Sequence, residues 1–448
     1  MIWRVYILEC GNGNLYTGAT NNLERRLKEH QNGKGGKFTR AFKAGRSLYC
    51  ESCAGRSQAL KREAQIKGWT RESKLALIRG KIKVIILLFC ALALFQATAD
   101  CRQPQQHCLL VAQLQEPSIL SSRVKIAKLI STAKESGSGI IFLQVYRANR
   151  AWFLSKITDA SAYNSCFKSL AEDPINLFIK QSHAEGIKVY AWFNLLSLNE
   201  NSQASTLKKY GTDILARNRD GKKSLEDYKI DRQYFLEPGD SRVRQELVSL
   251  VEEALLAYPG LDGILFDYLR YPDVKPDYGY SKMNIERFKK ATGCEKIEKD
   301  SLLWQNWKRE QVSGLLALLV KKTRALRPEL QIGATGCVPY IRAYAEAFQD
   351  WPSWVNRGLV DFIFLMSYSA DSEEFNKNVQ EAKEKVRDIK KLYIGLPAYK
   401  LTRSPGVFKR ELRIAELSQA GGYGIFHYDS LLENPDLINI LKGIDKAE

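Results

Sequence analysis

Over the last three-quarters of the chain, apolar residues gather in short runs that do not alternate with polar ones. The runs cover residues 109–115, 139–146, 188–194, 263–269, 331–335, 361–368, 392–397 and 422–428. Several are continuous Val/Ile/Leu/Phe stretches, which predicts parallel strands covered on both faces. Helical segments lie between most of them, at 122–135, 174–185, 241–258, 302–326 and 376–389. Eight strands with crossover helices over about 330 residues predict an α/β fold, a (β/α)8 TIM-type barrel over 105–448. A doubly wound sheet is the alternative, but no G-x-G-x-x-G run follows any strand.

Residues 1–81 follow a different pattern. Val5-Tyr6-Ile7 lies in a strand-like run, Gly11-Asn12-Gly13-Asn14 makes a turn, and Leu15-Tyr16-Thr17-Gly18 follows, which predicts a hairpin. Residues 22–30 predict a helix with its cap at Thr20 or Asn21. Arg26 and His30 stand four apart and share a face of that helix. A second helix, 57–67, carries Glu63 among basic residues. Together these make a small α+β domain.

Between the two units, residues 82–99 read IKVIILLFCALALFQATA, preceded by Arg79 and Lys81. A basic stretch, a charge-free core of about 12 residues and the A-x-A pattern Ala97-Thr98-Ala99 are the marks of a signal peptide or signal anchor. The core is short for a spanning helix, which needs about 20 residues. Two readings stay open. In one, a membrane-contacting segment joins a cytoplasmic N-terminal domain to a barrel exported to the periplasm or envelope. In the other, two neighbouring reading frames are fused. Asp100 occupies the position where a lipoprotein cysteine signal wants a small residue, so Cys101 does not fit that signal.

Composition adds little to the barrel and much to the small domain. Hydrophobic residues are 45% and charged residues 26%, which argues against wholesale disorder and a polytopic membrane protein. The net charge is +18, and residues 1–81 hold 17 Lys/Arg against 6 Asp/Glu, an excess of 11. So basic a small unit points to a polyanion partner, most simply DNA. Lys34, Lys37, Arg40, Lys43 and Arg46 predict a basic loop suited to backbone phosphates. Nine cysteines are too few for a disulfide scaffold, and Cys50 and Cys53 form a CxxC with no second pair at zinc-site spacing.

The order VYI, LYTG, ERRLKEH and ALKREAQIKGWTRESKLALI resembles the small single-domain GIY-YIG nucleases (UPF0213-like) over nearly all of residues 1–81. Val5 and Thr17 replace a Gly and an Ile of the family motifs. The resemblance implies that Tyr6 and Tyr16 are the motif tyrosines, Arg26 the catalytic arginine, His30 the following histidine and Glu63 the ligand of a Mg²⁺ ion. The chemistry is coherent: phosphodiester hydrolysis needs an activated water, a cation for the developing charge and help for the leaving oxygen. A tyrosine serves as general base if its pKa is lowered.

In a barrel the chemistry sits at the C-terminal strand ends. Here these read Gln144-Val145-Tyr146-Arg147, Trp192-Phe193-Asn194, Asp267-Tyr268-Leu269-Arg270-Tyr271, Met366-Ser367-Tyr368 and His427-Tyr428-Asp429, polar and aromatic as sugar sites are. Trp152, Trp192, Trp351 and Trp354 are further stacking candidates. In the fourth strand Asp262 and Asp267 are five apart, so they face opposite ways and lie about 16 Å apart along the strand. Asp267 is expected at the active end and Asp262 in a structural role. The FLEPGD run with Val243-Arg244, DGILFDYLRYP, Trp307-Lys308-Arg309-Glu310 and Met366-Ser367-Tyr368 resemble the glycoside-hydrolase-like family 10 barrels. That family includes bacterial envelope proteins acting on peptidoglycan glycan, with no cofactor. The fourth strand is also similar to the DGxDxDxE motif of chitinase-type barrels, but Leu265 and Leu269 stand where those have Asp and the catalytic Glu. Asp267 is therefore the candidate acid. Asn194, Glu237, Tyr268, Arg270, Tyr368, His427 and Asp429 are candidate substrate-binding residues, and His183 reads as structural. The rival readings are a nuclease as the operative function and a barrel that binds glycan without cleaving it.

Overall fold

The computed structural model describes residues 3–10, 15–32, 44–53, 55–69, 71–78, 105–224, 233–273, 277–298 and 301–444. They fall into two compact units, divided between Gln103 and Pro104. The segment 82–99 and the basic positions Lys34, Lys37, Arg40 and Lys43 lie outside the described residues. Among the described residues no helix is long and apolar enough to cross a membrane.

The small unit is a three-stranded antiparallel sheet in the order β2-β1-β3, with β1 at Trp3–Cys10, β2 at Leu15–Thr20 and β3 at Ala44–Cys53. The expected hairpin is β1–β2, with Tyr6 opposite Gly18. The sequence reading missed β3, whose residues AGRSLYCESC are too polar to announce a strand; Arg46 belongs to it rather than to a loop. Helix α1 (Leu23–Gln31) is capped by Asn22, whose side chain accepts from the Arg25 amide, not by Thr20 or Asn21. Thr20 still assists, because its hydroxyl accepts from the Asn22 amide at 3.1 Å. Helix α2 (Arg56–Lys67) closes the core with Ala59 and Ile66 against Val5 and Ile7.

The large unit is the expected barrel. Strands β4 (Gln106–Val111), β5 (Ile140–Arg147), β6 (Lys188–Asn194), β7 (Gly263–Asp267), β8 (Gln331–Cys337), β9 (Phe362–Met366), β10 (Leu392–Leu396) and β11 (Gly422–Phe426) are parallel. Each pairs with its neighbours in sequence, and β11 pairs with β4 to close the ring. The first strand begins and ends earlier than its apolar run suggested. Crossover helices such as Arg123–Glu135, Pro174–Ala184, Ser241–Ala257 and Leu302–Leu326 form the outer layer.

Side-chain alternation sorts each strand into two cores. Ile264 and Phe266 of β7 join the layer between strands and helices, while Leu265 joins the barrel interior with Leu110, Phe142, Tyr190, Trp192 and Phe364. Gly263 leaves room for Tyr190, whose ring would lie 2.4 Å from a Cβ there. Two residues past Leu265 on the same face comes Asp267, so the interior column ends in a carboxylate at the C-terminal rim. On β6 the same step leads from Trp192 to Asn194, and the register sets Asn194 beside Asp267.

Candidate functional sites

In the small unit, Tyr6 on β1, Tyr16 on β2 and His30 on α1 converge. The Tyr6 hydroxyl lies 2.8 Å from His30 Nε2, and the Tyr16 and His30 rings are 5.1 Å apart. Gly18 belongs to this contact: a Cβ there would come within 2.5 Å of the Tyr6 oxygen. Burial pushes the Tyr6 hydroxyl up to about 12, against the pull of a hydrogen bond from Arg26. Burial also lowers the His30 pKa, helped by the Arg26 charge, which favours the neutral imidazole beside the Tyr6 hydroxyl. Burial thus works against the lowered tyrosine pKa that a general base requires, and Arg26 works towards it. Arg26 also donates to Glu29 at 2.7 Å, a partner the motif did not reveal. Glu63 on α2 is largely buried, pairs with Lys67 at 2.7 Å and is near enough to Tyr6 for its charge to act on it. A single carboxylate such as Glu63 is the kind of ligand that suits Mg²⁺, which keeps several of its waters.

The barrel carries a cleft of about 830 Å³ at the C-terminal strand ends. Asn194, Asp267, Tyr268, Arg270, Tyr368 and His427 all line it. Asp267 is 4% exposed and holds three donors: Trp192 Nε1 at 3.0 Å on Oδ2, with Thr335 Oγ1 and its neighbour's amide, Tyr268 N, both at 2.7 Å on Oδ1. Burial pushes its carboxyl up, opposed by those donors and by Arg270. Tyr268 takes φ +54°, a left-handed conformation unusual for a bulky residue and costing on the order of 1–3 kcal/mol. Its ring lies 4.8 Å under the Arg270 guanidinium. Across the cleft Tyr368 stacks on Phe426 at 4.8 Å, with Tyr399 edge-on to both. The Asn194 carbonyl oxygen is buried with no protein donor among the described residues, so a bound N–H or O–H would satisfy it.

Two expected binding residues do not line the cleft. Glu237 is fully buried; its carboxylate accepts from Tyr271 and, at 2.9 Å, from Ser281. Nothing in its loop position hinted at that burial. Asp429 stands behind His427, with its Oδ2 3.4 Å from the His427 Nδ1, and accepts from Gln115. Asp262 has the structural role expected of it, accepting from the Val189 amide and paired with His183 Nε2, both at 2.8 Å. Trp351 and Trp354 are core residues. The cleft also contains Thr335, Asp273, Arg342, Glu374 and Lys400, which sequence reasoning missed. Asp273 was within reach of it: the residue stands three after Arg270 in the same run and pairs with it at 2.6 Å, with Arg342 at 3.5 Å on the other oxygen. Glu374 lies hidden in the first turn of helix Ser372–Lys385 and accepts from Ser369 at 2.6 Å.

Residues 111–411 match the family model described as Glycosyl hydrolase-like 10, and residues 2–76 match the GIY-YIG catalytic domain. Among curated proteins, Glycosyl hydrolase DigH of Escherichia coli K12 is 24% identical over 292 residues, 59% of this chain. The match spans only 63% of that relative's length. A UPF0213 protein of Streptococcus sanguinis is 48% identical over 77 residues, 17% of this chain and 88% of the relative. Among solved structures, the catalytic domain of a β-amylase from Paenibacillus polymyxa superposes with a TM-score of 0.51 at 14% identity, covering 77% of this chain and 98% of that one. An α-L-fucosidase from Paenibacillus thiaminolyticus gives 0.52 at 11%, covering 77% of this chain and 49% of that one. Such low identities speak for the barrel fold alone.

Proposed function

The chain belongs to the glycosyl hydrolase-like 10 family through its barrel and to the GIY-YIG, UPF0213-type family through its first residues; from that premise we propose that the barrel hydrolyses a peptidoglycan-type glycan of the cell envelope. The observation that carries the reading is Asp267. It is a carboxyl group buried at the rim, with a pKa raised by desolvation and aromatic rings around the space above it. A raised pKa keeps a proton available for the glycosidic oxygen. Trp192, Tyr268 and Tyr368 offer faces to a pyranose, and Asn194 and Arg270 offer polar contacts to hydroxyl or acetamide groups. Glycoside hydrolysis generally uses a second carboxylate. Asp273 and Glu374 are the other carboxylates lining the cleft, and an acetamido sugar can instead supply its own nucleophile. In this reading the barrel acts outside the cytoplasm, the Ala97-Thr98-Ala99 pattern marking the point of cleavage. A secreted fragment beginning near Asp100 would bear that out, and an intact 448-residue cytosolic chain as the sole cellular form would overturn it.

A second activity, metal-dependent DNA cleavage, is favoured by the convergence of Tyr6, Tyr16, His30 and Arg26. Arg26 binds the phosphate, and the attacking water gives its proton to Tyr6 as the Tyr6 hydroxyl proton moves to His30 Nε2. Glu63 would hold Mg²⁺, which supplies positive charge to the phosphate when bound. The full chain, assayed for reducing ends released from peptidoglycan strands and for plasmid nicking with MgCl2, tests both. Binding of the strands without release of reducing ends would turn the barrel into a glycan-binding domain.

A further inference from the structure

Three of the cleft residues, Tyr268, Arg270 and Asp273, stand on one stretch after β7 that belongs to neither helix nor strand. No ladder of backbone hydrogen bonds holds it, and it begins with the left-handed Tyr268. A strained residue persists only where its surroundings over-determine it. Of the residues between these, Leu269 and Tyr271 turn inward and are at most 1% exposed. From behind, the Gln349 amide donates to the Leu269 carbonyl at 3.3 Å and accepts from the Cys337 amide at 2.8 Å. The Tyr271 amide donates to the Ala347 carbonyl at 3.0 Å. The Tyr271 hydroxyl donates to Glu237.

Glu237 is itself fixed. Its amide donates to the Ile214 carbonyl at 2.7 Å, and its other carboxylate oxygen takes the Ser281 hydroxyl. Apolar packing alone would bury Tyr271 more cheaply than a buried carboxylate does. What the carboxylate adds is direction, because a hydrogen bond fixes where the ring points. We propose that Glu237 and Tyr271 are positioning residues that hold residues 268–273, and with them Arg270 and Asp273, in place for the glycan. The proposal rests on the glycan reading for its ligand, and on the structure alone for the rigidity of the segment.

Tyr258 provides a matched control. It is 2% exposed, and its hydroxyl donates to Asp173 at 3.1 Å, but it follows the C-terminal end of the helix Ser241–Ala257, away from the cleft. The test compares Tyr271→Phe, Tyr258→Phe, Glu237→Gln and Glu237→Ala in the full chain, by amide exchange and by calorimetric binding of soluble peptidoglycan strands. Both Phe variants lower Tm. Only Tyr271→Phe and Glu237→Ala speed exchange across 268–273 and weaken strand binding, each about tenfold, as loss of one buried hydrogen bond implies. Glu237→Gln keeps an acceptor for the Tyr271 hydroxyl and stays close to wild type. Unchanged exchange at 268–273 in Tyr271→Phe, or the same change in Tyr258→Phe, overturns the proposal. If wild type binds no strand while the exchange difference holds, the glycan reading fails and the positioning role stands.

Discussion

The sites of the two units share a physical feature with opposite chemical consequences. In the small unit burial pushes the Tyr6 hydroxyl up to about 12; in the barrel it pushes the Asp267 carboxyl up. At each site an arginine pulls the other way, Arg26 on Tyr6 and Arg270 on Asp267. For a group that must deliver a proton near neutral pH, a raised pKa helps. For a group that must take one, it hinders. Burial therefore prepares the barrel site for acid chemistry, while at the small site burial works against base chemistry and Arg26 works for it. A motif names the residues of a site, and only the surroundings name their protonation states.

The largest effect that would break this comparison lies in the small unit. Arg26→Ala and Glu63→Ala should each lower Mg²⁺-dependent DNA cleavage by about 10²–10³, the usual cost of losing a transition-state charge partner. Cleavage that survives EDTA would remove Glu63 from the role given to it. The pH profiles should then diverge. DNA cleavage should rise about tenfold per unit between pH 7 and 9 if Tyr6 must ionise, and Tyr6→Phe should abolish the slope. Glycan cleavage should instead fall as pH rises through the Asp267 pKa, which lies above the ordinary carboxylate value. A flat DNA profile would mean that Tyr6 is not the base. The same shift acts on stability. A folded pKa above the unfolded one favours the folded state at low pH, and this contribution is lost as pH rises through the folded value. Asp267→Asn should therefore cost little stability at neutral pH. The smallest effect belongs to the other end of β7: Asp262→Asn should cost about 1–3 kcal/mol through the Val189 and His183 contacts and leave glycan cleavage unchanged. Thermal melts and reducing-end assays on the same preparations check both.

Much of the fold was legible because its causes are local. A buried parallel strand must be apolar on both faces, so eight apolar runs mark eight strands, and the period of two is enough to separate Asp262 from Asp267. Strand β3 was not legible, since the sheet it joins, not its own side chains, makes it a strand. In the small unit the site residues follow one another on adjacent elements, so their order could be read. The barrel cleft gathers loops from strands far apart in sequence. Arg342, Glu374 and Lys400 reach it by loop geometry, which leaves no periodic trace, and Glu237 was drawn wrongly to it because burial of a loop carboxylate is not written in its neighbours. Glu63 and the Mg²⁺ it would hold came from resemblance alone.

The central claim is that Asp267 does chemistry at the glycan cleft, and reducing-end release from peptidoglycan strands by full-length wild type and Asp267→Asn, with strand binding measured alongside, tests it most directly. The account predicts that wild type releases reducing ends, and that the folded variant binds strands but releases at least about 10²-fold fewer. A folded Asp267→Asn protein that cleaves at the wild-type rate would contradict it.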